Sequence, residues 1–334
     1  MNKSTQPLLA IEGLKVAFPG QSAPVIDGLS LTLHHGEVLA LVGESGSGKS
    51  MTALSLMRLL PAGGAITGGR IRFNGEDILS LSDRQMNQLR GAHIAMLFQQ
   101  PQAMLDPTSR VSAQIAESLR LHRGFGRRAA MERVLDLLRE VGICDPAVRA
   151  RSFSHELSGG MAQRVMIAAA LSGDPEMLIA DEPTTALDVT VQAQILRLID
   201  EERRKRNLAT LLITHDLTVV GALADRVAVM YAGRIVEEGP TKAVLEAPQH
   251  PYTQALIRCS LLVPEPSGQL LSIPGSGTHA RKLSCGCRFH PRCSAAAQHD
   301  IESRCMRSEP ELSTDADGHK ARCWAIKTEK EVAA

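Results

Sequence analysis

The stretch Val38-Leu39-Ala40-Leu41-Val42-Gly43-Glu44-Ser45-Gly46-Ser47-Gly48-Lys49-Ser50 decides the fold. Its first five residues are an unbroken apolar run with no alternation, as expected of a parallel strand covered on both faces. A glycine-rich turn follows, and a helical pattern runs from there over 50–60. The turn matches G-x-x-x-x-G-K-[ST] in the strand–turn–helix setting a phosphate-binding loop requires. Its glycines let backbone N–H groups turn toward an anion at a helix N-terminus. Gly43, Glu44, Ser45, Gly46, Ser47 and Gly48 would form the cradle. Lys49 would reach the β- and γ-phosphates of a nucleotide, and the Ser50 hydroxyl would ligate Mg²⁺.

Outward from this turn, the first seventy or so residues hold short β-type runs (LAIEGLKVAF, VIDGLSLTL and GRIRFNG) separated by turn formers. They predict an antiparallel β subdomain. From about 106 to 160 the periodicity is helical, clearest in AAMERVLDLLREVGI, where Met131, Val134, Leu135, Leu138 and Val141 are expected to form one core-facing stripe. MLIADEP, TLLIT and VAVMYAG then alternate with helices, which implies a mostly parallel α/β sheet. The run EERRKR reads as a solvated helix end. After about 239, VPEPSG and IPGSGTHARK read as loop or linker, and the terminal KTEKEVAA as a disordered tail.

Composition sets bounds on function. The 37 Lys+Arg and 36 Asp+Glu nearly cancel, and only six Phe, two Tyr and one Trp are present. Neither a basic scaffold nor an aromatic stacking surface for nucleic acid is indicated. No run approaches the roughly 18 apolar residues of a membrane helix, and the start MNKSTQPLLAIEG lacks a secretory core, so a cytosolic chain is expected. Of seven cysteines, Cys285, Cys287, Cys293, Cys305 and Cys323 crowd near the end. In a reducing compartment that clustering reads as metal or cluster ligation rather than crosslinking.

Two further motifs carry chemistry. Met177–Asp181 followed by Glu182 is an apolar strand ending in two carboxylates. Beside a phosphate-binding turn, Asp181 is expected to serve Mg²⁺ and Glu182 the attacking water. Leu157-Ser158-Gly159-Gly160-Met161-Ala162-Gln163-Arg164 opens a helix with a serine N-cap.

Between the turn and the carboxylate strand, Ser158, Gly159, Gly160 and Met161 resemble the LSGGQ signature of ATP-binding cassette (ABC) ATPases, with Met161 in the place of Gln. The resemblance covers roughly residues 8–240. It implies an α/β P-loop NTPase cassette with a RecA-like parallel sheet, an antiparallel β subdomain and a helical subdomain at about 97–165. It also implies roles: Gln99 as the Q-loop glutamine near Mg²⁺, with Gln100 as the adjacent alternative, and Asp188 in the D-loop Ala186-Leu187-Asp188. His215 becomes the switch histidine at the γ-phosphate, and Phe18 the aromatic that stacks on adenine. Two such subunits would pack head to tail, the signature of one covering ATP on the other.

His250-Pro251-Tyr252-Thr253-Gln254-Ala255-Leu256 resembles the HPYT-x-x-L element of oligopeptide, dipeptide and nickel permease ATPases. That resemblance implies a cassette over 1–255 and a small cysteine-containing extension over 256–334. In the family four such cysteines accompany an iron–sulfur cluster, here Cys287, Cys293, Cys305 and Cys323. A [4Fe–4S] cluster and Zn²⁺ both suit four thiolates. The resemblance further implies an ATPase energising a bacterial importer of di- or oligopeptides, or of nickel or a metal chelate. Its partners would be two membrane permease subunits, a second and non-identical ATPase, and an extracytoplasmic binding protein. Its place would be the cytoplasmic face of the inner membrane. The rival class is a non-transport ABC ATPase.

Overall fold

The computed structural model describes residues 6–185, 187–260, 273, 275, 277–281, 283 and 285–326. Twelve strands are found among them: β1 Leu9–Ala17, β2 Ile26–Leu33, β3 Val38–Val42, β4 Ala65–Phe73, β5 Glu76–Asp77, β6 Ile94–Leu97, β7 Met177–Asp181, β8 Ala209–Ile213, β9 Arg226–Tyr231, β10 Arg234–Pro240, β11 Ser313–Thr314 and β12 Lys320–Ala321. The described residues divide into two compact units. One is built from Leu33–Glu37 and Phe73–Leu212 with the start of the chain. The other is built from Leu9–Thr32, Val38–Arg72 and Ile213 onward.

In the first unit β8, β7 and β6 are neighbours, with β6 and β7 parallel and in register from Ile94↔Met177 to Leu97↔Ala180. All three strands are buried along their whole length, which is why their sequences are apolar without alternation. Between β6 and β7 the chain is helical, with Val111–Leu121, Arg127–Glu140 and Gly159–Ser172 as its longer members. On Arg127–Glu140 the buried residues are Ala130, Val134, Leu137 and Leu138. Met131 is exposed and Leu135 only half-buried, which corrects the expected stripe. The small Ala130 and the neighbouring Leu137 turn the buried face away from the bulkier methionine.

The charged end of Val189–Arg206 is also more than a solvated face. Glu202 is buried and pairs with Lys205 at 2.7 Å and Arg206 at 3.1 Å. Burial opposes its charge, yet these two partners hold its carboxyl below the usual range. Arg206 extends the network to Glu140 at 3.0 Å and Asp174 at 3.4 Å. Arg203 donates to the Gly36 carbonyl at 2.8 Å. A sequence run cannot reveal that opposite charges arrive from distant parts of the chain.

In the second unit β3 lies parallel to β9, from Leu39↔Arg226 to Val42↔Val229, and β9 pairs antiparallel with β10 across a bulge between Ile235 and Glu237. A separate sheet places β1 between β2 and β4. The edge of β10 is covered by β12, with Glu237↔Ala321, and β12 in turn pairs with β11. Residues near the C-terminus thus close a sheet edge that would otherwise offer unpaired backbone groups. The strands β5, β6, β10, β11 and β12 are additions to the sequence reading; β5, β11 and β12 are only two residues long and carry no readable period.

Two buried carboxylates on β10 are fully used. Glu237 accepts from the backbone N–H groups of Gln249 and His250 and meets His319 Nε2 at 2.7 Å. Glu238 pairs with Arg226, and with Lys320 at 3.4 Å. Nearby, Tyr231, Tyr252 and Phe289 form a ring cluster with centroids 4.6–5.5 Å apart. The terminal segment 327–334 lies outside the described residues, as does most of the stretch read as linker.

His250 sits 2% exposed beside this cluster, and its Nδ1 accepts the Tyr252 N–H at 3.0 Å, so the ring is neutral in the fold. Burial and then the charge of Arg322 push it down to about 3 from the ordinary 6.5. The unfolded chain takes up a proton near 6.5 while the folded one does not, so stability is lost as pH falls through this window. We expect the unfolding free energy from urea titrations to drop by about 1.4 kcal/mol per pH unit in that range. In His250→Asn, whose Oδ1 replaces the Nδ1 acceptor, that acid slope is expected to flatten; equal slopes would contradict the assignment.

Candidate nucleotide site

The predicted site residues fall into two groups, one in each unit. In the second unit the turn 43–50 links β3 to the helix Lys49–Leu56. Gly43 and Gly48 have φ of +153° and +116°, a region costly for any residue with a Cβ. At Gly43 space makes the same demand, since a Cβ would lie 2.1 Å from the Met230 carbonyl oxygen; a Cβ on Gly48 would lie 2.6 Å from the movable Met230 Cε and 3.2 Å from the Val25 carbonyl oxygen. The turn is therefore pressed against β9. Lys49, only 6% exposed, donates from Nζ to the carbonyls of Gly43 at 2.7 Å and Glu44 at 3.0 Å. Ser47 Oγ is buried with no protein hydrogen-bond partner. A buried hydroxyl left unsatisfied is costly, and a phosphate oxygen in the turn would satisfy it. The residues present fit a bound phosphate.

Also in the second unit, His215 is exposed in a tight turn after β8. The turn is fixed on both sides: the Asp216 N–H donates to Thr214 Oγ1 at 3.0 Å, and Asp216 caps Leu217–Leu223 through the N–H groups of Thr218 and Val219. Phe18 follows β1 half-buried, its ring edge against the backbone of Gly64.

In the first unit Asp181 ends β7 and is 6% exposed. Glu182 follows with φ of +47°, a left-handed conformation that costs about 1–3 kcal/mol for a non-glycine residue. Its surroundings over-determine it. The carboxylate accepts from Gln99 Nε2 at 2.8 Å and Thr185 Oγ1 at 2.9 Å, and the carbonyl accepts the Thr185 N–H at 3.2 Å. Gln99 and Glu182, far apart in sequence, are thus brought together. Thr185 is a partner the sequence reading missed.

The signature residues form another locus of the first unit. Ser158 caps Gly159–Ser172, accepting the Met161 N–H at 3.4 Å. Asp188 caps Val189–Arg206 through the Val191 N–H at 2.9 Å. A Cβ on Gly160 would lie 2.9 Å from Val191 Cγ1, so the two capped helix starts are in contact. Ala186 lies outside the described residues.

The C-terminal cysteines belong to the second unit. Burial pushes the Cys287 thiol up to about 12 and Cys323 up to about 11, with neighbouring thiols adding to both shifts. Cys293 and Cys305 interact electrostatically with each other and with Cys323, and Cys287 with Cys305 and Cys323. Among the described residues no three His, Cys, Asp or Glu side chains surround a point that one metal ion could occupy. Cys285 is exposed, with its Sγ 3.6 Å from the Met306 carbonyl. Arginines adjoin all four of the others in sequence: Arg288, Arg292, Arg304 and Arg322. Arg288 donates to the Ala232 carbonyl and pairs with Asp27.

Comparison with known proteins identifies the family. The chain matches the ABC transporter family over residues 26–185 and the oligopeptide/dipeptide transporter C-terminal region over 236–299. It is 44% identical to the dipeptide transport ATP-binding protein DppD of Escherichia coli over 318 residues, 95% of this chain and 96% of the relative. It is 45% identical to a probable peptide ABC transporter ATP-binding protein of Sinorhizobium fredii over 330 residues, covering 97% and 96%. Among solved structures, cbiO1 of Clostridium perfringens, part of an ABC transporter complex, aligns with TM-score 0.63 at 28% identity, over 72% of this chain and 91% of that one. A dimeric ATP-binding cassette bound to ADP and Pi aligns with the same TM-score at 24% identity, over 70% and 98%. The chain belongs to the ABC transporter ATP-binding proteins, in the branch that carries the oligopeptide/dipeptide C-terminal region. It is an ABC-type ATPase, and among its described residues no helix is long and apolar enough to cross a membrane.

Proposed function

We propose that this protein hydrolyses ATP to drive a bacterial importer of di- or oligopeptides. The single observation that carries the chemistry is the doubly held Glu182 carboxylate, kept in a strained backbone by Gln99 and Thr185. A carboxylate so fixed is suited to orient and deprotonate a water. Gly43–Ser50 would cradle the phosphates, with Lys49 on the β- and γ-phosphates and Phe18 on the adenine. Ser50, Asp181 and Gln99 would hold Mg²⁺, which neutralises developing phosphate charge when bound. His215 would contact the γ-phosphate. Ser158–Met161 and Asp188 would act on the nucleotide of a second ATPase, a similar but non-identical chain.

Similarity over nearly the whole length to proteins named for dipeptide and peptide transport favours peptide cargo over nickel or a metal chelate. The same similarity favours two membrane permease subunits and an extracytoplasmic binding protein as partners, at the cytoplasmic face of the inner membrane. A groove of about 940 Å³ in the first unit supports permease docking. It is lined by Met96, Phe98, Met104, Leu121 and Phe125, with Met104 and Leu121 mostly exposed. Asp106, Gln114, Glu117 and Arg120 also line it, so the groove suits an amphipathic rather than a wholly apolar helical segment of a permease. We assign the cassette to 1–255, its helical subdomain to about 97–165 and the extension to 256–334.

For Cys287, Cys293, Cys305 and Cys323 the family resemblance favours a [4Fe–4S] cluster over Zn²⁺. The thiols influence one another electrostatically, while among the described residues no group is assembled that could hold a metal ion. Anaerobically purified protein is expected to be brown and to carry iron and acid-labile sulfide. A colourless protein with stoichiometric zinc would contradict this.

The transport reading is tested by uptake of labelled dipeptides in cells whose complex carries Glu182→Gln. We expect peptide uptake to be lost and ATP turnover in the purified complex to fall by about 10²–10⁴-fold, with ATP binding retained. Loss of nickel uptake alone would change the cargo. Undiminished turnover would remove Glu182 from the reaction.

A further inference from the structure

We propose that Arg292 and Tyr252, both C-terminal to β10, are positioning residues for the phosphate-binding turn and act by fixing Glu44. Glu44 is the second residue of the turn, and every polar group it has is engaged. Its N–H donates to the Tyr252 hydroxyl at 2.9 Å. Its carboxylate takes a two-pronged bond from Arg292, Nη1 to Oε2 and Nη2 to Oε1, both at 2.9 Å. Its carbonyl accepts from Lys49 Nζ at 3.0 Å. A shift of residue 44 therefore shifts the lysine that meets the phosphates.

Both clamps are rigid. The Arg292 side chain is 7% exposed and is itself held by the Tyr231 hydroxyl at 3.2 Å and the Ile273 carbonyl at 3.0 Å. Tyr252 is fully buried between Tyr231 and Phe289. The HPYT element thereby gains a physical role, since its tyrosine is a fixed acceptor for the turn. Arg292 has a second, electrostatic effect. An unpaired carboxylate in a triphosphate-binding turn would repel ATP, and a planar, bidentate guanidinium cancels that charge while fixing its direction. Arg292 also lies in the short loop between Cys287 and Cys293, whose turn is closed by Arg292 N–H to the Phe289 carbonyl at 2.9 Å and Cys293 N–H to the His290 carbonyl at 3.1 Å. Order in that loop is thus order at the turn.

The test is equilibrium binding of MgATP to the full-length protein and its variants. Wild-type binding in the same titration verifies the ATP role of the turn on which the inference rests. We expect Arg292→Gln to weaken ATP binding about tenfold, within the usual range of coupling between sites. Adding Glu44→Gln to Arg292→Gln is expected to restore most of the affinity, because the repelling carboxylate is gone. A merely structural role predicts the opposite, since the second change deletes the remaining partner. Tyr252→Phe keeps the ring and loses the acceptor, and is expected to weaken binding about threefold. Wild-type affinity in Arg292→Gln, or no recovery in the double variant, would overturn the proposal. Should Arg292→Gln fail to fold, Arg292→Lys keeps the charge and loses the fork, and unchanged affinity there would equally overturn it.

Discussion

The structure depends on one steric constraint, the passage of the backbone from β3 into the helix Lys49–Leu56 directly beneath β9. Residues with a Cβ are strongly disfavoured in that passage, at Gly43 because the Met230 backbone carbonyl occupies the space and at Gly48 because φ is +116°. The parallel pairing of β3 with β9 sets how close Met230 comes, so sheet register and turn geometry are one requirement. Everything at the turn follows: the buried Lys49 folded over the Gly43 and Glu44 carbonyls, and the orphaned Ser47 hydroxyl. A glycine-rich turn at a helix N-terminus, with a buried hydroxyl that no protein group satisfies, is suited to receive an anion.

The end of β7 meets a comparable demand by other means. Glu182 takes a left-handed backbone without being glycine, and the strain is offset by two hydrogen bonds to its carboxylate and one to its carbonyl. Strain held in place this way fixes a side chain's direction more firmly than a relaxed strand end would. Ser158, Asp188 and Asp216 use a different, unstrained device, a helix N-cap: the first two are themselves candidate nucleotide-contacting residues, and the third follows His215. Capping stabilises the helix start and at the same time fixes the loop before it.

Much of this was legible in the sequence because the signals were local. The apolar run of β3, the spacing of the glycines and the paired carboxylates at the end of β7 need no distant partner to be read. The misread parts are those set by distant partners. Met131 looked like a core residue until the packing of its helix chose Ala130 and Leu137 instead. The charged end of Val189–Arg206 looked solvated until Glu140 and Asp174 closed on Arg206. Arg292 was hidden for the same reason: its partner Glu44 is 248 positions earlier. One available signal was passed over, the arginine beside each of the four clustered cysteines.

The C-terminal region is accordingly more than an appendage to the second unit. It closes the edge of β10 through β12, supplies Phe289 to the ring cluster around Tyr231 and binds the phosphate-binding turn through Arg292. The central claim remains that the Cβ-free passage at the turn is what receives ATP. Its most direct measurement is calorimetric titration of MgATP into wild-type protein and Gly48→Ala, with circular dichroism to verify that the fold is kept. The account predicts one ATP per wild-type chain and affinity at least about tenfold weaker in the variant, the cost of a strained φ in a closed space. Equal affinity in the two proteins would contradict it.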